Sequence, residues 1–218
     1  MWFPSMPMLL APFSPLEAFG LWGQLCQSWR QRLWAENTRK EVLSHLNFGV
    51  LRLDHDKSIS ACAALAKYIP DTLHVLNLDF FRCHLGQAAA EQLASAIPPG
   101  LLHLQLGLTR SRVGSGGLRR LAEKLPSSLK SLWLDVGSCF VGNEGILAIN
   151  LQALPDLKSF HLSAENDLKV DDTSLQFLAD GISSLSTLRL DFSRCRVSFR
   201  GIQYLAERLP ALETLQLS

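Results

Sequence analysis

Tyrosine is nearly missing from this chain, with 2 in 218 residues, and so is any excess of charge of one sign. Its 21 basic and 20 acidic side chains leave a formal net charge of +1, and only 19% of residues are charged. That balance argues against a nucleic-acid binder, which carries a basic excess, and rules out a disordered acidic or basic tail protein. Asn-x-Ser/Thr acceptors are absent, and the five cysteines, an odd number spread over the chain, do not form a secreted disulfide framework. The histidines form no H-x-x-x-H or H-E-x-x-H pair, and no G-x-x-x-x-G-K-[ST] or G-x-G-x-x-G unit follows a buried strand. Residues 1–16, MWFPSMPMLLAPFSPL, are apolar, but Pro4, Pro7, Pro12 and Pro15 break any helix. The run is also short of the roughly 20 residues a membrane span needs. The first arginine is Arg30, so the basic start of a signal peptide is missing. We therefore expect a packing segment there, no membrane span, and a reducing, cytoplasmic setting.

What the chain does have is apolar residues, 47% of the total, and repetition. Its length suits one compact domain, able to bury about 70% of its unfolded surface without a disulfide or metal staple. The pattern L-x-x-L-x-L recurs as Leu73/Leu76/Leu78, Leu101/Leu104/Leu106, Leu129/Leu132/Leu134, Leu157/Phe160/Leu162, Leu185/Leu188/Leu190 and Leu212/Leu215/Leu217. Phe48/Leu51/Leu53 reads as an earlier, degenerate copy. The third anchor then stands at 53, 78, 106, 134, 162, 190 and 217, in steps of 25, 28, 28, 28, 28 and 27. Such regularity marks a repeat array.

Within each repeat the period switches. Leu76, Leu78 and Phe80 alternate with Asn77 and Asp79, as in a strand with one buried face. Ala90, Leu93, Ala94 and Ile97 then follow a helical spacing before Pro98. Leu118 to Leu125 before Pro126, and Ile202 to Leu209 before Pro210, repeat it, so each helix is expected to run up to its proline. Gly117, Gly145 and Gly201 fall where the chain would turn into these helices. A strand and a helix per repeat stack into a parallel sheet on one side and helices on the other. Helices are wider than the roughly 4.8 Å strand spacing, so the stack curves with its strands inside.

The segments LHVLNLDFFRCHL (73–85), SLKSLWLDVGSCFV (128–141) and STLRLDFSRCRV (186–197), each followed by a helix, resemble the leucine-rich repeat family, ribonuclease-inhibitor-like subclass. The likeness covers residues 48–218. It implies an α/β fold: a curved solenoid of about six repeats with parallel strands on the concave face and helices on the convex face. Two extra residues separate the third leucine from the cysteine, unless the strand starts two residues later with Leu78 and Phe80 as its inward pair. The family carries an Asn/Cys ladder whose side chains bond neighbouring backbone turns. The resemblance implies that Cys83, Ser111, Cys139, Asp167 and Cys195 fill it here.

Residues 1–47 read as an N-terminal helical cap. Ser14-Pro15-Leu16-Glu17 has a capping-box pattern, Phe19, Trp22, Leu25, Cys26, Trp29 and Leu33 mark one helix face, and Thr38 with Glu41 opens a second helix carrying Val42, Leu43 and Leu46. A partner-binding or membrane-surface role for the Trp-rich face competes with plain cover for the first repeat. At the other end, Leu212–Ser218 supplies a strand without its turn or helix. That reads as a truncated array, or as an open edge able to self-associate.

No metal centre, cofactor or catalytic group is expected. Cys83, Cys139 and Cys195 lie two repeats apart, about 9.6 Å in a strand stack, beyond disulfide reach. Cys26 and Cys62 each suit a packed helix face. Gly114-Ser-Gly-Gly117 opens a helix with Arg119 and Arg120 in its first turn, a phosphate cradle only by the weakest of matches. The informative positions lie between the leucines and point away from the core: Arg52, Asp54, Asn77, Asp79, Gln105, Gly107, Trp133, Asp135, His161, Ser163, Arg189, Asp191 and Gln216. Trp133 suits an aromatic anchor. Asp54, Asp79, Asp135 and Asp191 suit either a carboxylate column for a basic partner or caps for local backbone amides. The resemblance implies a rigid protein-binding scaffold with a partner of unknown identity and no nucleic acid. The alternatives are a GTPase-activating regulator, using Arg82, Arg110, Arg112 or Arg194 on the loop rim, and a non-autonomous fragment of a larger receptor or scaffold.

Overall fold

The computed structural model describes residues 45–50, 55–69 and 71–218, all within the unit Val42–Ser218. Strands and helices alternate: β1 His45–Val50, α1 His55–Tyr68, β2 Val75–Asp79, α2 Gly86–Ser95, β3 His103–Gly107, α3 Gly114–Ala122, β4 Ser131–Asp135 and α4 Gly142–Leu147. A 3-10 turn at Leu151–Ala153 follows, then β5 Ser159–Ser163, α5 Asp172–Ala179, β6 Thr187–Asp191, α6 Phe199–Ala206 and β7 Thr214–Leu217. The seven strands form one open parallel sheet in chain order, an arrangement compatible with a curved solenoid. The expected cap helix around Trp22 lies outside the described residues, as do Cys26 and Asp54.

Two inward leucine-type residues in each of β2 to β6, such as Leu76 and Leu78 or Leu132 and Leu134, are almost fully buried. Each such side chain contributes about 1.5–3 kcal/mol. The pair of extra residues before the cysteine has a structural job. The amides of Phe80, Leu108, Val136 and Ala164 each donate to the next repeat's carbonyl, at 2.7–2.9 Å, and those of Arg82, Arg110, Ser138 and Asn166 do the same. The parallel ladder therefore continues past the strands, and Phe80, Leu108, Val136, Ala164 and Phe192 supply a third inward position.

Three expectations change. The first strand pairs Leu46 with Leu76 and Phe48 with Leu78, so the frame in register with β2 is Leu46/Phe48, while Leu51 and Leu53 lie outside the described residues. Two overlapping frames, LSHLNF and FGVLRL, sit five residues apart there, and an odd shift swaps the two faces of a strand. Leu46 is accordingly a strand residue rather than part of a helix. The helices stop at Ser95, Ala122 and Ala206, three to four residues before their prolines. The residue before proline disfavours helical geometry, and turn bonds such as Ile97 N–H to Ala94 C=O, 3.3 Å, replace the last turn. Gly117, Gly145 and Gly201 are not turn residues but lie inside helices. A Cβ at Gly117 would come within 3.0 Å of Ala90 Cβ on α2, and one at Gly201 would collide with Asp172. The turns use Gly86, Gly114 and Gly142 instead, with φ of +62°, +68° and +58°.

Candidate functional site

Strand register assembles the outer sheet face, the one turned from the helices, into rows. One row runs Asn77, Gln105, Trp133, His161, Arg189, Gln216 across β2 to β7. Every member has a planar polar or aromatic end, and neighbours are about 4.8 Å apart along the sheet. In its middle the Trp133 and His161 rings stack, centroids 5.0 Å apart and 14° from parallel. The His161 Nδ1 is shielded from solvent and makes no hydrogen bond. Burial and the neighbouring Arg189 charge hold this imidazole's pKa below its ordinary value, against the opposing pull of Asp135 and Asp191. Arg189 is exposed, and the described residues offer it no ion pair.

A second row runs Asp79, Gly107, Asp135, Ser163, Asp191. Each aspartate Oδ1 accepts an amide two residues on: Phe81 at 2.9 Å, Gly137 at 3.1 Å and Ser193 at 2.9 Å. These carboxylates therefore brace the strand ends, the structural alternative of the two considered from sequence. Gly107 leaves room for Asp79, whose Oδ1 would lie 2.8 Å from any Cβ there. The slot beside Asp79 in β1 is Val50, and Asp54 lies outside the described residues. Sequence reading passed over a third row, the hydroxyls Ser131, Ser159, Thr187 and Thr214, though the same 28-residue spacing marks it.

The ladder residues point inward, away from both rows. Cys139 Sγ donates to Leu108 C=O at 2.7 Å and lies 3.6 Å from Ser111 Oγ, while Cys195 Sγ donates to Ala164 C=O at 3.2 Å. Asp167, 2% exposed, accepts from Gly142 N–H at 2.9 Å and Lys169 N–H at 3.0 Å. Cys83 is buried at the same slot. Burial pushes the Cys62 thiol up to about 12, with Cys83 adding to the rise, and raises Cys139 as well. Buried thiols of this kind are poor nucleophiles. No group of three or more His, Cys, Asp or Glu side chains able to hold a metal occurs among the described residues.

The cradle at Gly114–Gly117 packs rather than opens: Gly116 and Gly117 lie against Gln87 and Ala90 of α2. The loop arginines Arg82, Arg110, Arg112 and Arg194 are exposed and all have φ near +60°. Ser138 and Asn166 take the same backbone conformation at the slot of Arg82, Arg110 and Arg194, so the geometry belongs to the turn and not to arginine. No helix of the described residues is long and apolar enough to cross a membrane. No protein-family model matches the chain, and no curated protein matches it significantly.

Proposed function

We propose that the protein is a leucine-rich-repeat-type binding scaffold without enzymatic activity, gripping a protein partner through the concave face of its strands. The stacked Trp133–His161 pair carries the reading. A large aromatic and an unbonded imidazole nitrogen on an outward sheet face serve no core, and they sit beside the exposed Arg189. Aromatic and arginine side chains of this kind are the usual anchors of protein interfaces. A preformed sheet also loses little entropy when it binds. The remaining oxygens of Asp79, Asp135 and Asp191 would favour basic groups at the border of such an interface.

The test is paired affinity capture from cell extract, with wild type against Trp133→Ala/Arg189→Glu, both matched for thermal stability. Arg189 is the better partner mutation than Asp135, which holds the Gly137 amide. Loss of a specific partner by the double variant supports the reading. Identical partner sets would count against it. A GTPase-activating role finds no favouring observation, because the rim arginines share their geometry with Ser138 and Asn166.

A further inference from the structure

Three large apolar side chains stand exposed at the ends of the strand-to-helix connections, Phe199 at the first residue of α6. Phe140 is 65% exposed, Leu168 62% and Phe199 77%. Phe140 and Leu168 occupy the same slot of successive repeats, one residue after Cys139 and Asp167, and the two loops are joined where Asn143 N–H donates to Lys169 C=O at 3.1 Å. Phe140 shares its left-handed backbone, φ +60°, with Arg112 at the same slot, φ +59°, so the turn displays whatever side chain stands there. The same slot in the flanking repeats is Arg112 and Arg196, both exposed. Arg110 and Arg194 stand two residues earlier, Lys169 follows Leu168 and Arg200 follows Phe199, all exposed.

Of the acidic side chains near these loops, Glu144 is exposed in the first turn of α4, Asp172 accepts from Ser198, and the others are held elsewhere. Asp167 is buried in the ladder, Asp171 caps α5 by accepting Thr173 N–H at 2.9 Å, and Glu165 faces Arg194 at 3.7 Å. The rim is therefore a strip of projecting phenyl and isobutyl groups bordered by cations, whereas the sheet face carries three aspartates against one arginine, Arg189. The balanced whole-chain charge of +1 conceals this separation.

We infer that this rim docks peripherally on an anionic phospholipid surface, with Phe140, Leu168 and Phe199 entering the headgroup–acyl boundary and the flanking arginines and Lys169 meeting the lipid phosphates and carboxylates. Apolar insertion plus cationic attraction is the combination that gives reversible interfacial binding, each alone being weak. Aliphatic Leu168 beside phenyl rings suits acyl chains better than stacked bases, which call for aromatic platforms.

Co-sedimentation of the full chain tests it, using phosphatidylcholine vesicles with and without 30 mol% phosphatidylserine at about 0.1 M salt. Binding to the serine-containing vesicles is expected, with a marked fall at high salt as the Debye length shortens. Arg194→Glu/Arg196→Glu should weaken binding at least 20-fold, from about fivefold for each arginine lost. Phe140→Ser/Phe199→Ser should weaken it at least tenfold at unchanged charge. All four positions are exposed, so both variants should match the wild-type denaturation midpoint. Wild type left in the supernatant would overturn the proposal. So would binding that neither variant affects, which would assign it to another segment, or rim variants that lose a captured protein while vesicle binding stays intact.

Discussion

Cys139 and His161 are the residues whose surroundings differ most from what their chemistry suggests at first sight. Cys139 looks like a redox or metal group and is instead a hydrogen-bond donor to Leu108 C=O, fully buried. Cys139→Ala should cost about 0.5–1.5 kcal/mol in urea denaturation, because Leu108 C=O loses the thiol donor and keeps only the Ser111 N–H. Native protein at pH 8 should leave Cys62 and Cys139 unalkylated until denaturant is added, since burial raises both thiols. For His161 the sign is opposite to that of a salt-bridged histidine. Its folded pKa lies below the ordinary 6.5, so the unfolded chain takes up the proton first. Stability is then fully present above about pH 6.5 and declines as pH falls through that value. His161→Gln should flatten the fall between pH 7 and 5, and an NMR titration of His161 should show a midpoint under 6.5.

At the level of elements, the polar links between repeats were hidden from sequence while the apolar ones were plain. The leucines announce themselves by spacing, and their strands and order follow. Asn143 does not, since nothing in its neighbourhood marks it as a clamp. Its side chain donates to Asp171 Oδ1 at 2.7 Å and accepts from Asp171 N–H at 3.0 Å and Ser174 Oγ at 2.7 Å, tying α4 to the start of α5. The hydrogen bonds from Thr173, and after them the one from the Asn143 side chain, hold the Asp171 pKa below the usual carboxylate range. Asn143→Ala should cost about 1–2 kcal/mol by thermal or urea denaturation, the size of a lost helix cap. The helical glycines teach the same lesson. From sequence Gly117 and Gly145 read as turns, because a turn and a close helix contact both call for a missing Cβ. Only the neighbouring repeat, at Ala90 or Ser115, tells them apart. The first strand slipped for a third reason: two leucine frames overlap, and local pattern alone has no means of choosing between them.

Across the whole molecule, each repeat rests on its neighbours, so stability should grade along the stack. The outer-row residues legible from sequence, Trp133, His161 and Arg189, do come together, because parallel register carries a 28-residue spacing directly into space. Their roles were less legible: whether an aspartate binds or braces depends on an amide two residues away. At the sheet edge, all four residues of β7 are exposed, with Leu215 44% and Leu217 43% accessible where their counterparts in β2 to β6 are buried. Hydrogen exchange should therefore be fastest in β7 and slowest in β3 to β5. Core truncation in the middle of the stack, Leu134→Ala, should cost about 2–5 kcal/mol.

The central claim is that the outer strand face is the working surface. Hydroxyl-radical footprinting of the full chain, free and bound to its captured partner, addresses it directly. Trp133 and His161 are expected to lose labelling in the complex while Phe140 and Phe199 keep theirs. Unchanged labelling of Trp133 and His161 in a bound complex, with protection elsewhere, would contradict it.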